Sequence, residues 1–325
     1  MRQTWERDRP ELELDRAAVA RLLEPIFPGA AIARVERVGG GLVNTNLKLE
    51  FADRSAPVLL RIYQRSGEHG AKEAALIRGF AGGVPIPELI HFAADNPVTG
   101  HPYSVLSWVE GRPLDALDTD TLAGAGGSLG AALARIHAKK FPRFGFLGGD
   151  LAIVHPIDLD RRGLLTYLDH SFASGEGAAR LGPELLAQLR DFIERAGDEI
   201  CAWPGAPCLV HGDCNASNLI FREGRTGCEL AAILDWEFAF SGTPGFDFAH
   251  FLRPPLAARP AFAEAVAASY REAGGALPPD WPRIARITDL FAWIDIVSRP
   301  DAGPNVVADA RQHIARTMAQ DPAER

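Results

Sequence analysis

The stretch CLVHGDCNASNLIF, residues 208–221, and the run AAILDWEFAF, residues 231–240, decide how the rest of this chain is read. His211, Asp213 and Asn218 form H-x-D-x-x-x-x-N, and the apolar residues 231–234 then deliver Asp235. Two short strands would thus place a carboxylate, a carboxamide and a second carboxylate close together. Those groups suit phosphoryl transfer, which needs a base for an acceptor hydroxyl and hard oxygen ligands for magnesium. Asp213 is the candidate base, with Asn218 and Asp235 the candidate metal ligands.

Upstream, three runs have strand character: AIARVERV, TNLKLEF and APVLLRIY. The turn between the first two, Gly39–Asn44, carries three consecutive glycines, which let backbone N–H groups lie against a ligand. Plain hairpins use glycine too, and the turn is neither a P-loop nor a full G-x-G-x-x-G. Arg61 in the third run and Glu73 in the helix-patterned segment GEHGAKEAALIRGF give a strand cation and a helix glutamate. Such a pair holds ATP phosphates in kinase-like proteins. The predicted nucleotide clamp is Gly40, Gly41, Asn44, Arg61 and Glu73.

HPYSVLSWVEGRPL reads as a strand that runs to Gly111, and the pattern then turns helical. TLAGAGGSLGAALARIHA keeps Leu122, Leu129, Leu133 and Ile136 on one stripe despite its glycines, with His137 expected to pack or to face the helix C-terminus. Residues 141–182 show no clear period, whereas PELLAQLRDFIERAGDEI is plainly amphipathic. AFAEAVAASYREAG, DWPRIARITDLFAWIDIVSR and NVVADARQHIARTMAQ complete a helical second half.

With 325 residues the chain is expected to form two lobes rather than one core. The net charge of -8 argues against a nucleic-acid partner. A charged N-terminus without a signal peptide, no apolar run long enough for a membrane span and four cysteines without C-x-x-C spacing predict a cytoplasmic protein. Oligomeric state is not encoded legibly.

VHGDCNASNLIF, ILDWE and AFSGTPGFDFAHFL resemble the motifs of the aminoglycoside phosphotransferase and choline kinase-type small-molecule kinases. The resemblance runs from about Val35 to Phe251. It implies an α+β, two-lobed protein kinase-like fold: a strand-rich lobe over residues 1–106, a hinge at 107–111 and a mainly helical lobe over 112–325. It implies ATP, or GTP, with Mg2+, and a small-molecule hydroxyl as acceptor. By the same resemblance Asp213 is the base and Asn218 and Asp235 bind the metal. Backbone groups of Ser107 and Val109 would meet the base of the nucleotide, while Asp247 and His211 would support the catalytic loop. Two departures stand out: Arg61 replaces the lysine of protein kinases, and Trp236-Glu237 follows the metal aspartate where they have Phe-Gly.

A nucleotide-binding scaffold without catalysis is the rival reading, disfavoured by the joint presence of Asp213, Asn218 and Asp235. A hydrolase lacks G-x-S-x-G or paired metal-ligand histidines to support it. For a cationic sugar as acceptor, Asp289 and Trp293 with nearby Asp295 are a candidate acidic and aromatic face.

Overall fold

Strict alternation in TNLKLEF places Thr45, Leu47, Leu49 and Phe51 on the buried face of a strand, with the polar residues between them half-exposed. In the computed structural model, which describes residues 5–7, 9–39, 41–54, 56–65, 67–80, 83–224 and 227–320, this strand sits within an antiparallel sheet. Its strands are β1 (Ile32–Arg37), β2 (Thr45–Phe51), β3 (Val58–Ile62), β4 (Leu89–Ala93) and β5 (Tyr103–Ser107), in the order β1-β2-β3-β5-β4. Helix α1 (Arg16–Leu23), whose first turn is capped by Asp15 at 2.7 Å from Ala18 N, packs Val19, Leu22 and Leu23 on one face of the sheet.

Helix α2 (Gly67–Gly79) lies over Tyr63 and Phe92. A Cβ on Gly70 would stand 2.8 Å from the Tyr63 ring, so glycine is what lets the helix approach. The approach brings Glu73 down to Arg61, which the register sets opposite Asn46 on β2 and Ser104 on β5. The fifth strand ends at Ser107, short of the expected Gly111; one more bond, from Trp108 N–H to Pro57 O, follows it before the chain turns through Gly111 at φ +156. Arg112–Pro113 (β6) instead pairs with a later hairpin.

The rest of the chain is mainly helical. Helix α3 (Thr119–His137) runs through its core. Residues 141–182, opaque in sequence, contain β7 (Gly145–Leu147), β8 (Ile153–Pro156), α4 (Arg161–Ser171) and α5 (Glu176–Leu181). Then follow α6 (Pro183–Ala196), β9 (Cys208–Val210), β10 (Leu219–Gly224), β11 (Gly227–Ile233), β12 (Phe240–Gly242) and α7 (Gly245–Ala249). The last helices are α8 (Pro260–Glu272), α9 (Trp281–Thr288), α10 (Leu290–Ser298) and α11 (Pro304–Ala319). The segment expected as one helix near residue 289 is thus two, joined at Asp289.

The hairpin β10–β11 joins β6 in one small sheet, and β8-β7-β12-β9 form another. Both place short loops at the edge facing the large sheet: residues 211–218 after β9 and 234–239 after β11. Among the described residues no helix is long and apolar enough to cross a membrane, and all four cysteines are unpaired.

Candidate active site

The two loops are tied together by His211. Its Nε2–H donates to Leu234 O at 2.9 Å while its Nδ1 accepts from Asp213 N at 3.2 Å. A carbonyl can only accept, so this arrangement fixes the neutral tautomer with the proton on Nε2. The ring also packs against Trp236 at 4.7 Å. One imidazole therefore sets Asp213 and the residue before Asp235 in a common frame.

Asp247, at the head of α7, holds the same loop from behind. Its Oδ2 accepts from His211 N and its Oδ1 from Gly212 N, each at 2.9 Å. His137, at the end of α3, meets Oδ2 at 3.0 Å and carries the Tyr270 hydroxyl on its other nitrogen. Burial alone would raise the Asp247 carboxyl; the His137 hydrogen bond and charge and the backbone N–H groups of the loop hold it below the usual range. His137 is thus neither a plain packing residue nor a dipole partner.

Asp213 is almost fully buried in the floor of a cavity of about 1010 Å³. Asn218 donates its amide nitrogen to Asp213 O at 2.9 Å and to Asp213 Oδ2 at 3.1 Å, which leaves the amide oxygen as its acceptor. Asp235 lies at the other side of the floor with φ +66, a left-handed conformation that costs a non-glycine residue on the order of 1 kcal/mol. It is held there by an ion pair with Arg61.

Arg61 faces three carboxylates. Its Nε lies 3.2 Å from Glu73 Oε2, one NH2 bonds Asp235 Oδ1, and Glu237 Oε1 stands 3.8 Å away. Burial would lower the guanidinium pKa, but Asp235, Glu73 and Glu237 together raise it well above its ordinary value. Glu73 also accepts from Trp236 N at 2.9 Å and from the Tyr63 hydroxyl at 2.5 Å, so α2 is fastened to the second loop through one side chain. Asn44 donates to Glu237 Oε2 at 3.0 Å, which brings the glycine turn to the same cluster.

Gly41, Asn44, Arg61, Glu73, Ser107, Val109, Asp213, Asn218 and Asp235 all line the one cavity. Gly40 lies outside the described residues. At the end of β5, Ser107 N–H is committed to Glu88 O at 2.9 Å and Ser107 Oγ accepts from Glu88 N. Its N–H is therefore not offered to a ligand. Val109 lines the cavity beside it.

Glu237, Lys72, His250 and Arg253 are among the cavity residues that escaped the reading of the sequence. Glu237 is pushed up to about 7, by burial first and by the Asp235 charge next, against the pull of Arg61. Lys72, beside Glu73 on α2, is lowered by burial to about 8 although Glu237 and Glu73 oppose the shift. His250, lowered to about 3 by burial and by Arg253, lines the cavity with Arg253 itself. Glu237 had a legible signal, the i+2 spacing from Asp235 that returns a side chain to the same side of a tight turn. The other three had none, because tertiary packing alone brings them in.

Among the described residues no three His, Cys, Asp or Glu side chains converge as a metal cage. Magnesium does not require one, since it keeps waters and takes one or two protein oxygens together with substrate phosphates. The Asn218 amide oxygen and the Asp235 carboxylate provide that kind of donor set, so the residues fit such an ion.

A model of the phosphotransferase enzyme family matches residues 34–287. Among solved structures, a ternary complex of a thermostable mutant of the aminoglycoside phosphotransferase APH(4)-Ia with ADP and hygromycin B superposes with a TM-score of 0.72 at 18% identity, covering 93% of this chain and 97% of that one. The GDP and kanamycin complex of APH(2")-IIia gives 0.70 at 16% identity over 94% of this chain and 100% of that one. A Thermobifida fusca protein to which fructosamine-3-kinase activity has been ascribed gives 0.61 at 19% identity, over 92% and 98% of the two chains. These likenesses establish the two-lobed, kinase-like α+β fold.

Curated relatives include acyl-CoA dehydrogenase family member 11 of Rattus norvegicus, 24% identical over 181 residues, which are 53% of this chain and 21% of that protein. The Gallus gallus protein of the same name is 24% identical over 267 residues, 74% of this chain and 31% of its own length. The chain thus spans about a fifth to a third of the length of these relatives.

Proposed function

Because the chain belongs to the phosphotransferase enzyme family and is a small-molecule kinase of that family, we propose that it transfers the γ-phosphoryl group of ATP to an alcohol, with Asp213 as base. The observation that carries this reading is the convergence of Asp213–Asn218 and Arg61–Glu73–Asp235 on one cavity floor. The acceptor oxygen attacks the γ-phosphorus, the bond to the β–γ bridging oxygen breaks, ADP departs and the hydroxyl proton passes to the Asp213 carboxylate. Asn218 orients that carboxylate by donating to its Oδ2. Arg61 contributes fixed positive charge toward the transferred phosphoryl group, where preorganised electrostatics count most.

Magnesium, held by Asn218 and Asp235, would neutralise charge on the phosphate oxygens. The purine would lie against the hinge and bond the Val109 N–H, and GTP is accommodated by the same backbone donor. Residues 1–106 would act as the nucleotide lobe, 107–111 as the hinge and 112–325 as the lobe carrying the base and the acceptor site.

Two variants test these assignments. Asp213→Ala is expected to lose at least about 100-fold in kcat, typical of a removed general base, with nucleotide affinity nearly unchanged in equilibrium titration. Turnover like that of the wild type would refute the assignment of the base. Asp235→Ala is expected to weaken binding of the magnesium–nucleotide complex itself; equal affinity for it in both proteins would remove Asp235 from the metal site. A scaffold that binds ATP would show neither acceptor phosphorylation nor any response of turnover to Asp213→Ala.

A further inference from the structure

Two cations stand by Glu73 on the cavity wall, and their surroundings differ. Arg61 is committed to carboxylates: its Nε lies 3.2 Å from Glu73 Oε2, and an NH2 group bonds Asp235 and lies 3.8 Å from Glu237. It brings charge to the site, but turning a donor to a ligand would strip a buried carboxylate of its partner. Lys72, the residue before Glu73 on α2, also lines the cavity and is only 7% exposed. Among the described residues no hydrogen bond or ion pair reaches its ammonium. The tip of the β7–β8 hairpin covers the helix here: a Cβ on Gly149 would stand 2.8 Å from Ala71 Cβ and 3.9 Å from Lys72 N.

The carboxylates near Lys72 attract it only from beyond ion-pair distance. Glu237, Glu73 and Glu68 pull its pKa up, yet burial outweighs them and brings it down to about 8. A buried cation without a bonded anion is costly in an empty site, and an oxyanion that enters relieves the cost. The other cations of the wall have partners. Arg253 Nε donates to Asp289 Oδ2 at 3.0 Å and Arg299 NH2 to Asp295 Oδ2 at 2.7 Å, while Arg65 and His69 lie against the Phe238 ring. Neither Asp289 nor Trp293, expected as an acidic and aromatic face for the acceptor, lines the cavity.

The position of Lys72 selects the ligand atom. Glu237 is the carboxylate that attracts it most, and Asn44 of the glycine turn donates to that same carboxylate at 3.0 Å. Lys72 therefore belongs with Asp235, Arg61 and the glycine turn. The register of β3 against β5 sets Arg61 opposite Ser104 and Val58 opposite Ser107, so the hinge begins three residues, about 10 Å, along the strands from Arg61. A nucleotide whose base lies at the hinge brings its last phosphate to the Asp213–Asp235 end of the cavity.

We propose that Lys72 is the direct cationic donor to the γ-phosphate of a bound nucleoside triphosphate, supplied from α2 while Arg61 serves the carboxylates. The inference rests on the phosphotransferase reading. An ammonium N–H bonded to a γ-phosphate oxygen holds the phosphorus facing Asp213, and Arg61 adds its charge from behind.

The test compares AMP-PNP with ADP, each with magnesium, by equilibrium titration of the full chain and of its Lys72→Met and Lys72→Arg variants. Lys72→Met should lose roughly 10- to 100-fold in affinity for AMP-PNP, the worth of one charge-assisted hydrogen bond, and stay within about twofold of wild type for ADP. Lys72→Arg should recover part of the AMP-PNP affinity. Without ligand, the melting midpoint of Lys72→Met should equal or exceed that of the wild type, because a desolvated charge has been removed. Unchanged AMP-PNP affinity, or a loss as large for ADP, would overturn the inference and leave the kinase reading standing. Failure of both variants to fold would give Lys72 a structural role and overturn it as well. A wild-type protein that binds neither nucleotide would overturn the kinase reading and the inference with it.

Discussion

Replacing Asp247 by Asn changes one atom in a fully buried side chain and should damage both stability and turnover. The carboxylate accepts from His211 N and Gly212 N and meets His137 Nε2, three donors around two oxygens. An amide keeps one accepting oxygen and turns an NH2 group toward donors. At least one charge-assisted bond, about 1.5–3 kcal/mol, is lost and a buried N–H is left without a partner at about 1–3 kcal/mol. Together these amount to about 2.5–6 kcal/mol. At roughly 2–4 °C per kcal/mol for a chain of this order, the melting midpoint should fall by roughly 10 °C.

The same loop carries Asp213, and a displacement of about 1 Å there is worth about 100-fold in kcat. The pH dependence has a definite sign. The Asp247 carboxyl is held below its ordinary value, so its stabilisation is present above the unfolded pKa of about 3.9 and is lost as pH falls through the folded one. The gap in melting midpoint between wild type and variant should therefore narrow only at acid pH. Calorimetry across pH and steady-state kinetics at neutral pH check both parts. A midpoint within about 2 °C of wild type, with unchanged kcat, would refute the reasoning.

Two further predictions concern charge and packing. Glu237, raised to about 7 by burial, keeps its proton in the folded protein above the unfolded pKa; its contribution to stability is full at acid pH and is lost as pH rises through about 7. Glu237→Gln keeps an oxygen for Asn44 without the charge, so its melting midpoint should fall less than wild type between pH 5 and 8 by roughly the share this one group contributes; parallel curves would contradict it. In α3, a Cβ on Gly130 would stand 2.3 Å from Val266 O, whereas one on Gly124 meets nothing within 4 Å. Gly130→Ala should destabilise by about 1–3 kcal/mol through overpacking, and Gly124→Ala should stabilise by about 0.5–1 kcal/mol through helix propensity. Denaturant titration of the pair reads both signs, and a stabilising Gly130→Ala would show that α8 can withdraw.

The parts of the fold legible in the sequence are those whose signal is local. Alternation in Thr45–Phe51 and the leucine stripe of α3 each state a face and a period, and the structure uses those faces. The glycines of α3 looked like interruptions. Gly126 and Gly130 are instead where α8 comes against the helix backbone, a reason that lies on another element and leaves no periodic trace. Residues 141–182 defeated a periodic reading because strands of three and four residues are shorter than any usable window. The break at Asp289 was hidden too, since nothing near it in sequence announces that Arg253 and Trp293 will both claim its carboxylate. The chain of rings Phe146, Phe240, Phe246, Phe291 and Tyr167 along the cavity fails to show for the same reason: it draws on five segments, and each ring alone reads as ordinary core.

Arginine at position 61, where a protein kinase has lysine, follows from the residue that the sequence reading passed over. A strand cation that faced only Glu73 could be an ammonium, a point charge on a flexible stem. Here Glu237 adds a third carboxylate to Glu73 and Asp235, and the three lie in different directions from β3. A planar guanidinium can set its Nε edge 3.2 Å from Glu73 Oε2 while an NH2 group bonds Asp235 and lies 3.8 Å from Glu237. The Trp-Glu pair after Asp235 and the Arg at 61 are therefore one feature, not two separate departures. Asn44 completes it by fixing the far oxygen of Glu237 from the glycine turn. The cluster thereby couples β2, β3, α2 and the loop after β11, so that anything drawing on Arg61 also pulls on the turn above the cavity and on the helix that frames it.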